Sequence, residues 1–145
     1  MVTLDPLGLR LVAEVLLDVM LKQNKQVDSV GGLETGGIPI AATVSLMSEI
    51  RGKPIPAFFV RQKEKERGTR KWIEGNLEPK SNVVILDDVT TRGNSVLKAV
   101  EKVEEIDCKV VEITSLVDRE EGAAQNFRNY MFTPIFRMSQ FMSSD

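Results

Sequence analysis

An α/β fold with a mostly parallel central sheet is what this sequence predicts, on three observations. Short apolar runs bounded by turn residues alternate with segments of helical periodicity. One run, Val83-Val84-Ile85-Leu86, is apolar at every position, the pattern of a strand covered on both faces. Two of the runs lead straight into glycine-containing turns that open the next helix. The chain of 145 residues fits one compact domain, residues 1–145. Taken in order, Asp5-Pro6 reads as an N-cap with proline at the first helical position. Val12, Val15, Leu16, Val19 and Met20 then mark one face of a helix that runs to about Leu21. Val27 to Val30 is a short strand entering the turn Gly31-Gly32-Leu33-Glu34-Thr35-Gly36-Gly37, and Ile38 to Ile50 returns to helical spacing until Arg51-Gly52-Lys53-Pro54 ends it. Ala57 to Val60 is the next strand. The polar stretch from about Gln62 to Asn76 predicts a long mobile loop. Val83 to Leu86 leads through Asp87-Asp88-Val89-Thr90-Thr91-Arg92-Gly93-Asn94-Ser95 into a helix with Val96, Leu97, Val100 and Val103 inward. Val110 to Val117 is a further buried strand ending at Asp118-Arg119-Glu120-Glu121-Gly122, and a short helix and a strand near Met131–Phe136 follow. Parallel strands joined by right-handed crossovers place ligands at their carboxyl ends.

Composition narrows the chemistry. The chain has no histidine, which removes Ser-His and Cys-His nucleophile pairs and HExxH zinc sites. Its one cysteine, Cys108, excludes an internal disulfide and argues against a structural zinc site, so a reducing cytoplasm is the expected compartment. With 19 basic and 21 acidic residues the net charge is −2, which predicts neither a nucleic-acid nor a membrane partner. No run of 18 apolar residues occurs, and no signal peptide is indicated at the N-terminus. Charge is nonetheless uneven. Arg61, Lys63, Lys65, Arg67, Arg70 and Lys71 are six basic residues against two acidic ones in RQKEKERGTRK, a cationic segment on an acidic body that suits a small polyanion.

The strongest chemical signal is Val83 to Ser95. A buried strand delivers two carboxylates at its carboxyl end, and a small hydroxyl-rich turn then opens a helix. Thr91, Ser95 and the backbone amides around Gly93 would converge at that helix N-terminus, where the dipole adds positive potential, to form a phosphate-sized anion site. Asp87 and Asp88 beside it are placed to accept hydrogen bonds from sugar hydroxyls or to hold a metal ion through water. A phosphate cup next to an acidic pair suits a ribose 5-phosphate. The plainer alternative makes Asp-Asp a turn and Thr-Thr a helix cap, and a receiver-type acidic pocket is a further one. No GxxxxGK[ST] occurs, and GGLETGG does not match GxGxxG.

VVILDDVTTRGNS resembles the 5-phosphoribosyl 1-diphosphate (PRPP) motif of the type I phosphoribosyltransferases: a hydrophobic run, two acids, then a Thr/Gly/Ser loop. LDPLGLRLVAEVLL, GGLETGGIPIA, FFVRQKEKERGT and VDREEG resemble, in the right order, the first helix, diphosphate loop, catalytic loop and base-side strand end of the orotate phosphoribosyltransferase family. The resemblance implies a type I phosphoribosyltransferase-like sheet and transfer of ribose 5-phosphate from PRPP to orotate with release of diphosphate. Mg2+ would be held through substrate and water near Asp87 and Asp88, and the family's assembly is a homodimer.

By the same resemblance Asp87 and Asp88 would contact the ribose hydroxyls, and Val89, Thr90, Thr91, Gly93, Asn94 and Ser95 belong to the loop around the 5-phosphate. Arg92 stands in that loop where a small hydroxyl residue is usual, reaching either the phosphate or solvent. Glu34, Thr35, Gly36 and Gly37 would form the diphosphate loop, and Arg61, Lys65 and Arg67 would supply catalytic cations, with Asp88 beside the reacting ribose. Gln62 replaces a usual lysine and Arg67 a usual histidine; an arginine stabilises leaving charge but does not shuttle a proton. Arg119 matches a family arginine that contacts the orotate carboxylate. The family carries a further N-terminal segment over the pyrimidine, and this chain starts at what would be the following helix. That makes it either a truncated reading frame or a compact member with an altered base site. Two other functions stay open at this point: a PRPP- or nucleotide-binding regulatory protein without transferase activity, and a transferase for a different base.

Overall fold

The computed structural model describes residues 5–22, 25–69 and 72–142. The elements run α1 (Pro6–Leu21), β1 (Ser29–Leu33), α2 (Gly37–Ile50), β2 (Ala57–Val60), β3 (Ile73–Gly75), β4 (Asn82–Thr90), α3 (Asn94–Glu104), β5 (Lys109–Asp118), α4 (Ala123–Asn126) and β6 (Phe132–Arg137). The strands form one sheet in the order β3-β2-β1-β4-β5-β6. Every neighbouring pair is parallel except β2 with β3. This is the predicted α/β class. None of the described helices is long and apolar enough to cross a membrane.

The sheet separates two apolar layers. Val84 and Leu86 of β4 point to α1 and α2, whereas Val83 and Ile85 point to α3. Side chains of a strand alternate between faces, so a strand buried on both sides is apolar at each position. α1 begins as expected, with Asp5 Oδ2 accepting from the Gly8 amide at 2.8 Å and Pro6 following the cap. Its buried stripe is Val12, Ala13, Leu16, Leu17 and Met20, so the predicted face is rotated. Val15 is 42% exposed, because the contact with α2 and the sheet is centred on Leu16 and Leu17 rather than on the valines.

Three further differences come from pairings between distant segments. The first strand starts at Ser29 and runs on through Gly31 and Gly32, which pair with Phe58 and Phe59, so these glycines are strand and not turn. A Cβ on Gly32 would strike the Leu86 carbonyl, and one on Gly37 would lie 2.8 Å from Gly32 Cα, so the start of α2 approaches the sheet only because both residues are glycine. The predicted loop from Gln62 to Asn76 is cut short by β3, which pairs antiparallel with β2 through Phe58↔Gly75, Phe59↔Glu74 and Val60↔Ile73. A strand of three residues with one buried apolar side chain, Ile73, offers no periodicity to read. Finally, β4 extends to Thr90, so Asp87 and Asp88 stand within the strand. Ladder pairs run as far as Thr90↔Asp118.

In α3, Ala99 takes the buried place beside Val96, Val100 and Val103, and Leu97 is half-buried. Cys108 is buried and is not in a disulfide.

Candidate functional site

The carboxyl ends of β1, β2, β4 and β5 bring together four segments: residues 34–37, 61–67, 87–95 and 118–122. A cleft of about 230 Å³ lies at the end of β4, lined by Asp87, Val89, Thr91, Arg92, Gly93, Asn94 and Ser95. Its floor is the start of α3. Gly93 caps that helix at φ +85°, and its carbonyl accepts from the Leu97 amide at 2.9 Å. Left-handed backbone reverses the chain so that the first helical amides face the cleft, an arrangement that favours an anion. A Cβ on Gly93 would lie 2.5 Å from Phe127 Cε1 and nearer still to Cζ, so the buried Phe127 ring presses the turn into shape from below. From the same layer Asn126 Nδ2 donates to the Arg92 carbonyl at 2.7 Å, leaving the Arg92 side chain exposed.

Thr91, Asn94 and Ser95 present exposed polar groups at the cleft, as the motif predicts. Thr90 does not line it. Its side chain is buried, and Oγ1 donates to Asp87 Oδ2 at 3.0 Å. The other Asp87 oxygen accepts from the Asp88 amide at 3.0 Å. Burial drives the Asp87 carboxyl up from 3.8 to about 7, the neighbouring Asp88 charge adds to the rise, and the Thr90 hydrogen bond opposes it. Asp88 points elsewhere. Its Oδ1 accepts from the Val89 amide at 2.8 Å, and a Cβ on Gly36 would lie 3.0 Å from the same oxygen. Asp88 thus joins the end of β4 to the turn after β1.

That turn is held by a residue whose role sequence reasoning missed. The Gln62 amide donates to Glu34 Oε1 at 2.5 Å, and Gln62 Nε2 donates to the Glu34 carbonyl at 2.8 Å. One oxygen of the half-buried Glu34 carboxylate is therefore engaged by Gln62, while Thr35 and Gly36 are exposed; the Glu34–Thr35 peptide is cis. Lys98 Nζ of α3 donates to the Gln62 carbonyl. Gln62 so ties the turn after β1 to the chain leaving β2, and Lys98 ties that chain to the helix below the cleft.

Among the predicted cations, Arg61 Nη1 and Lys65 Nζ lie 3.6 Å and 3.2 Å from the same oxygen, Glu74 Oε1 on β3. Arg67 is exposed. Arg70 and Lys71 lie outside the described residues. Arg119 stands at the end of β5: its amide donates to the Thr90 carbonyl at 2.9 Å, and Nη2 is 3.2 Å from Glu121 Oε1. A larger cleft, of about 370 Å³, lies away from these strand ends, between Trp72 and the Lys102-Ile106 stretch of the chain. It gathers none of residues 87–95, although Glu64 and Thr69 of the cationic segment line it.

Among the described residues no group of three or more Cys, Asp or Glu side chains is placed to hold a metal ion. The acidic pair fits a different role. Mg2+ keeps several waters and takes one or two carboxylates together with substrate phosphates, and Asp87 in the cleft lining, with Asp88 next along β4, would fit that donor set.

Comparisons with known proteins agree with this geometry. The model of the phosphoribosyl transferase domain matches residues 3–134. The orotate phosphoribosyltransferase of Bradyrhizobium diazoefficiens is 43% identical over 148 residues, covering 97% of this chain and 78% of that protein. That of Rhodopseudomonas palustris (strain ATCC BAA-98 / CGA009) is 40% identical over 147 residues, with the same coverage. The crystal structure of Mycobacterium tuberculosis orotate phosphoribosyltransferase in complex with PRPP superposes with a TM-score of 0.81 at 28% identity, covering 94% of this chain and 77% of that one.

Proposed function

Since the chain belongs to the orotate phosphoribosyltransferase family, we propose that its reaction is transfer of ribose 5-phosphate from PRPP to orotate, with release of diphosphate. The observation that carries this reading is the cleft where β4 meets α3, with helix amides on its floor, the Asp87 carboxylate in its lining and Asp88 next along β4. The amides at the start of α3 with Thr91, Asn94 and Ser95 hold the 5-phosphate. Asp87 and Asp88 accept hydrogen bonds from the ribose hydroxyls. The exposed backbone of Thr35 and Gly36, which Gln62 anchors through Glu34, faces the diphosphate. Asp87 and Asp88, through substrate and water, would hold Mg2+ there, and the ion would supply charge neutralisation of the diphosphate.

No protein nucleophile takes part, in keeping with a chain that has no histidine. The chain's contribution is to orient the sugar, exclude water and meet the negative charge that leaves with the diphosphate. Arg61, Lys65 and Arg67 supply the positive charge that meets it, and the segment bearing them closes over the substrate. Arg119, beside the end of β4, pairs with the orotate carboxylate and exchanges Glu121 for it. Two broader expectations accompany the reaction. The protein works as a homodimer, supported by the apolar side chains that α1 and α2 expose, among them Leu7, Leu11, Leu46 and Ile50. It is a cytoplasmic protein, supported by its single cysteine.

The test is a spectrophotometric assay of orotate consumption with PRPP and Mg2+, beside calorimetric titration with PRPP alone. Consumption that requires both PRPP and Mg2+ is the expected result. PRPP binding without consumption of orotate would move the reading to another acceptor or to a PRPP-binding regulator, and no PRPP binding by folded protein would overturn it.

A further inference from the structure

Two cations of the catalytic segment, Arg61 and Lys65, do not point freely into solvent. The chain leaves β2 at Arg61 and returns at Trp72, whose carbonyl accepts from the Arg61 amide at 2.7 Å, before entering β3. This antiparallel return sets Glu74, opposite Phe59 in the ladder, beside the segment's root. One oxygen, Glu74 Oε1, then meets both Arg61 Nη1 at 3.6 Å and Lys65 Nζ at 3.2 Å. The proposed reaction asks these same two side chains to meet diphosphate. All three side chains are partly exposed, between 32% and 48%. Arg61 Nε is buried with no hydrogen-bond partner, so the guanidinium is held but incompletely satisfied.

Resting on the transferase reading above, we propose that Glu74 is a positioning residue: a resident counter-ion that holds Arg61 and Lys65 while no substrate is bound and yields Lys65 to the diphosphate. A monovalent carboxylate at partly exposed sites makes weak pairs, whereas diphosphate brings several negative charges and more acceptor oxygens. The exchange therefore runs toward substrate and reverses on product release. Glu74 competes with PRPP, lowering its affinity, and in return keeps the Lys63–Arg67 stretch ordered in the free protein.

The experiment compares wild type, Glu74→Gln and Glu74→Asp by limited trypsin digestion without ligand and by steady-state kinetics, with thermal melting as the check on folding. Trypsin cuts after Lys63, Lys65 and Arg67, and its rate follows the population of the open segment. In Glu74→Gln, cleavage is expected to speed up about 2–5-fold, the range that corresponds to losing weak partly exposed ion pairs. The KM for PRPP is expected to fall by a similar factor while kcat does not rise. Glu74→Asp falls between, and all differences shrink at about 0.5 M salt, where charges are screened. A merely structural role would raise KM and would not depend on salt. Unchanged cleavage in Glu74→Gln, or a KM for PRPP that rises, overturns the proposal. Should wild type show no turnover, the reaction assignment fails by itself and the cleavage rates still decide the role of Glu74.

Discussion

Gly93→Ala is the substitution that most directly tests how the phosphate cleft is shaped. Gly93 has φ +85°, and its missing Cβ would lie 2.5 Å from Phe127 Cε1. A left-handed backbone costs a non-glycine residue about 1–2 kcal/mol. The Phe127 ring is fully buried and in edge contact with Phe132, centroids 5.0 Å apart, so it has little room to withdraw. Overpacking of that kind costs about 1–3 kcal/mol. The expected loss is about 3 kcal/mol, or about 10 °C in Tm at roughly 2.1 cal/mol/K per residue. Urea denaturation of wild type, Gly93→Ala, Phe127→Leu and the double variant separates the two parts. Phe127→Leu makes room for the new methyl, so the double variant should be about 1–2 kcal/mol more stable than the single losses predict, while the backbone strain of about 1 kcal/mol persists. PRPP binding should weaken about tenfold or more in Gly93→Ala, because the amides at the start of α3 are displaced. A Gly93→Ala protein within about 0.5 kcal/mol of wild type, or a double variant with no coupling, would refute the reasoning.

Other expectations concern charge. Asp87 titrates near 3.8 in the unfolded chain but at about 7 when folded. Below the lower value both states are protonated; as pH rises to about 7 the unfolded state alone ionises, so this group's effect on folding becomes less favourable and then levels off. Asp87→Asn should therefore match wild type at about pH 3 and be more stable at pH 7.5, by about 1–2 kcal/mol after allowance for its partial exposure. Wild-type PRPP affinity should also increase as pH passes 7, a dependence that titration calorimetry would find absent in Asp87→Asn. Lys25 Nζ sits 2.9 Å from Glu112 Oε2, and Glu112 is 1% exposed with its Oε1 unpartnered. Lys25→Ala should cost about 3 kcal/mol by chemical denaturation, since it leaves a buried carboxylate without its cation. Arg119→Ala should lower kcat/KM for orotate by about 10–100-fold yet leave PRPP binding within about twofold, and equal loss on uracil would count against a carboxylate partner.

Much of this protein follows from neighbours in sequence. The run Val83 to Leu86 announces a strand buried on both faces, and the alternation of such runs with helical spacing announces a parallel sheet, because each pattern repeats within a few residues. The cleft was legible for the same reason: Asp87 to Ser95 is one contiguous stretch that ends a strand, turns and opens a helix, so its residues meet without help from elsewhere. Tertiary structure decided whatever depends on partners far along the chain. The direction of Thr90, turned inward to Asp87 as β4 continues beside β5, is invisible in a string of hydroxyl residues. So are the face that α1 buries, settled by α2 and the sheet, and the existence of β3, which forms only because β2 lies ready to pair with it. Gln62 read as a lost lysine, yet 28 residues separate it from the Glu34 it holds. Phe127 and Glu74 carry no motif at all, since one acts by filling the space under Gly93 and the other by its charge beside Arg61 and Lys65. Periodicity and short motifs record contacts made along the chain, whereas packing and ion pairing between segments exist only once the sheet has brought those segments together.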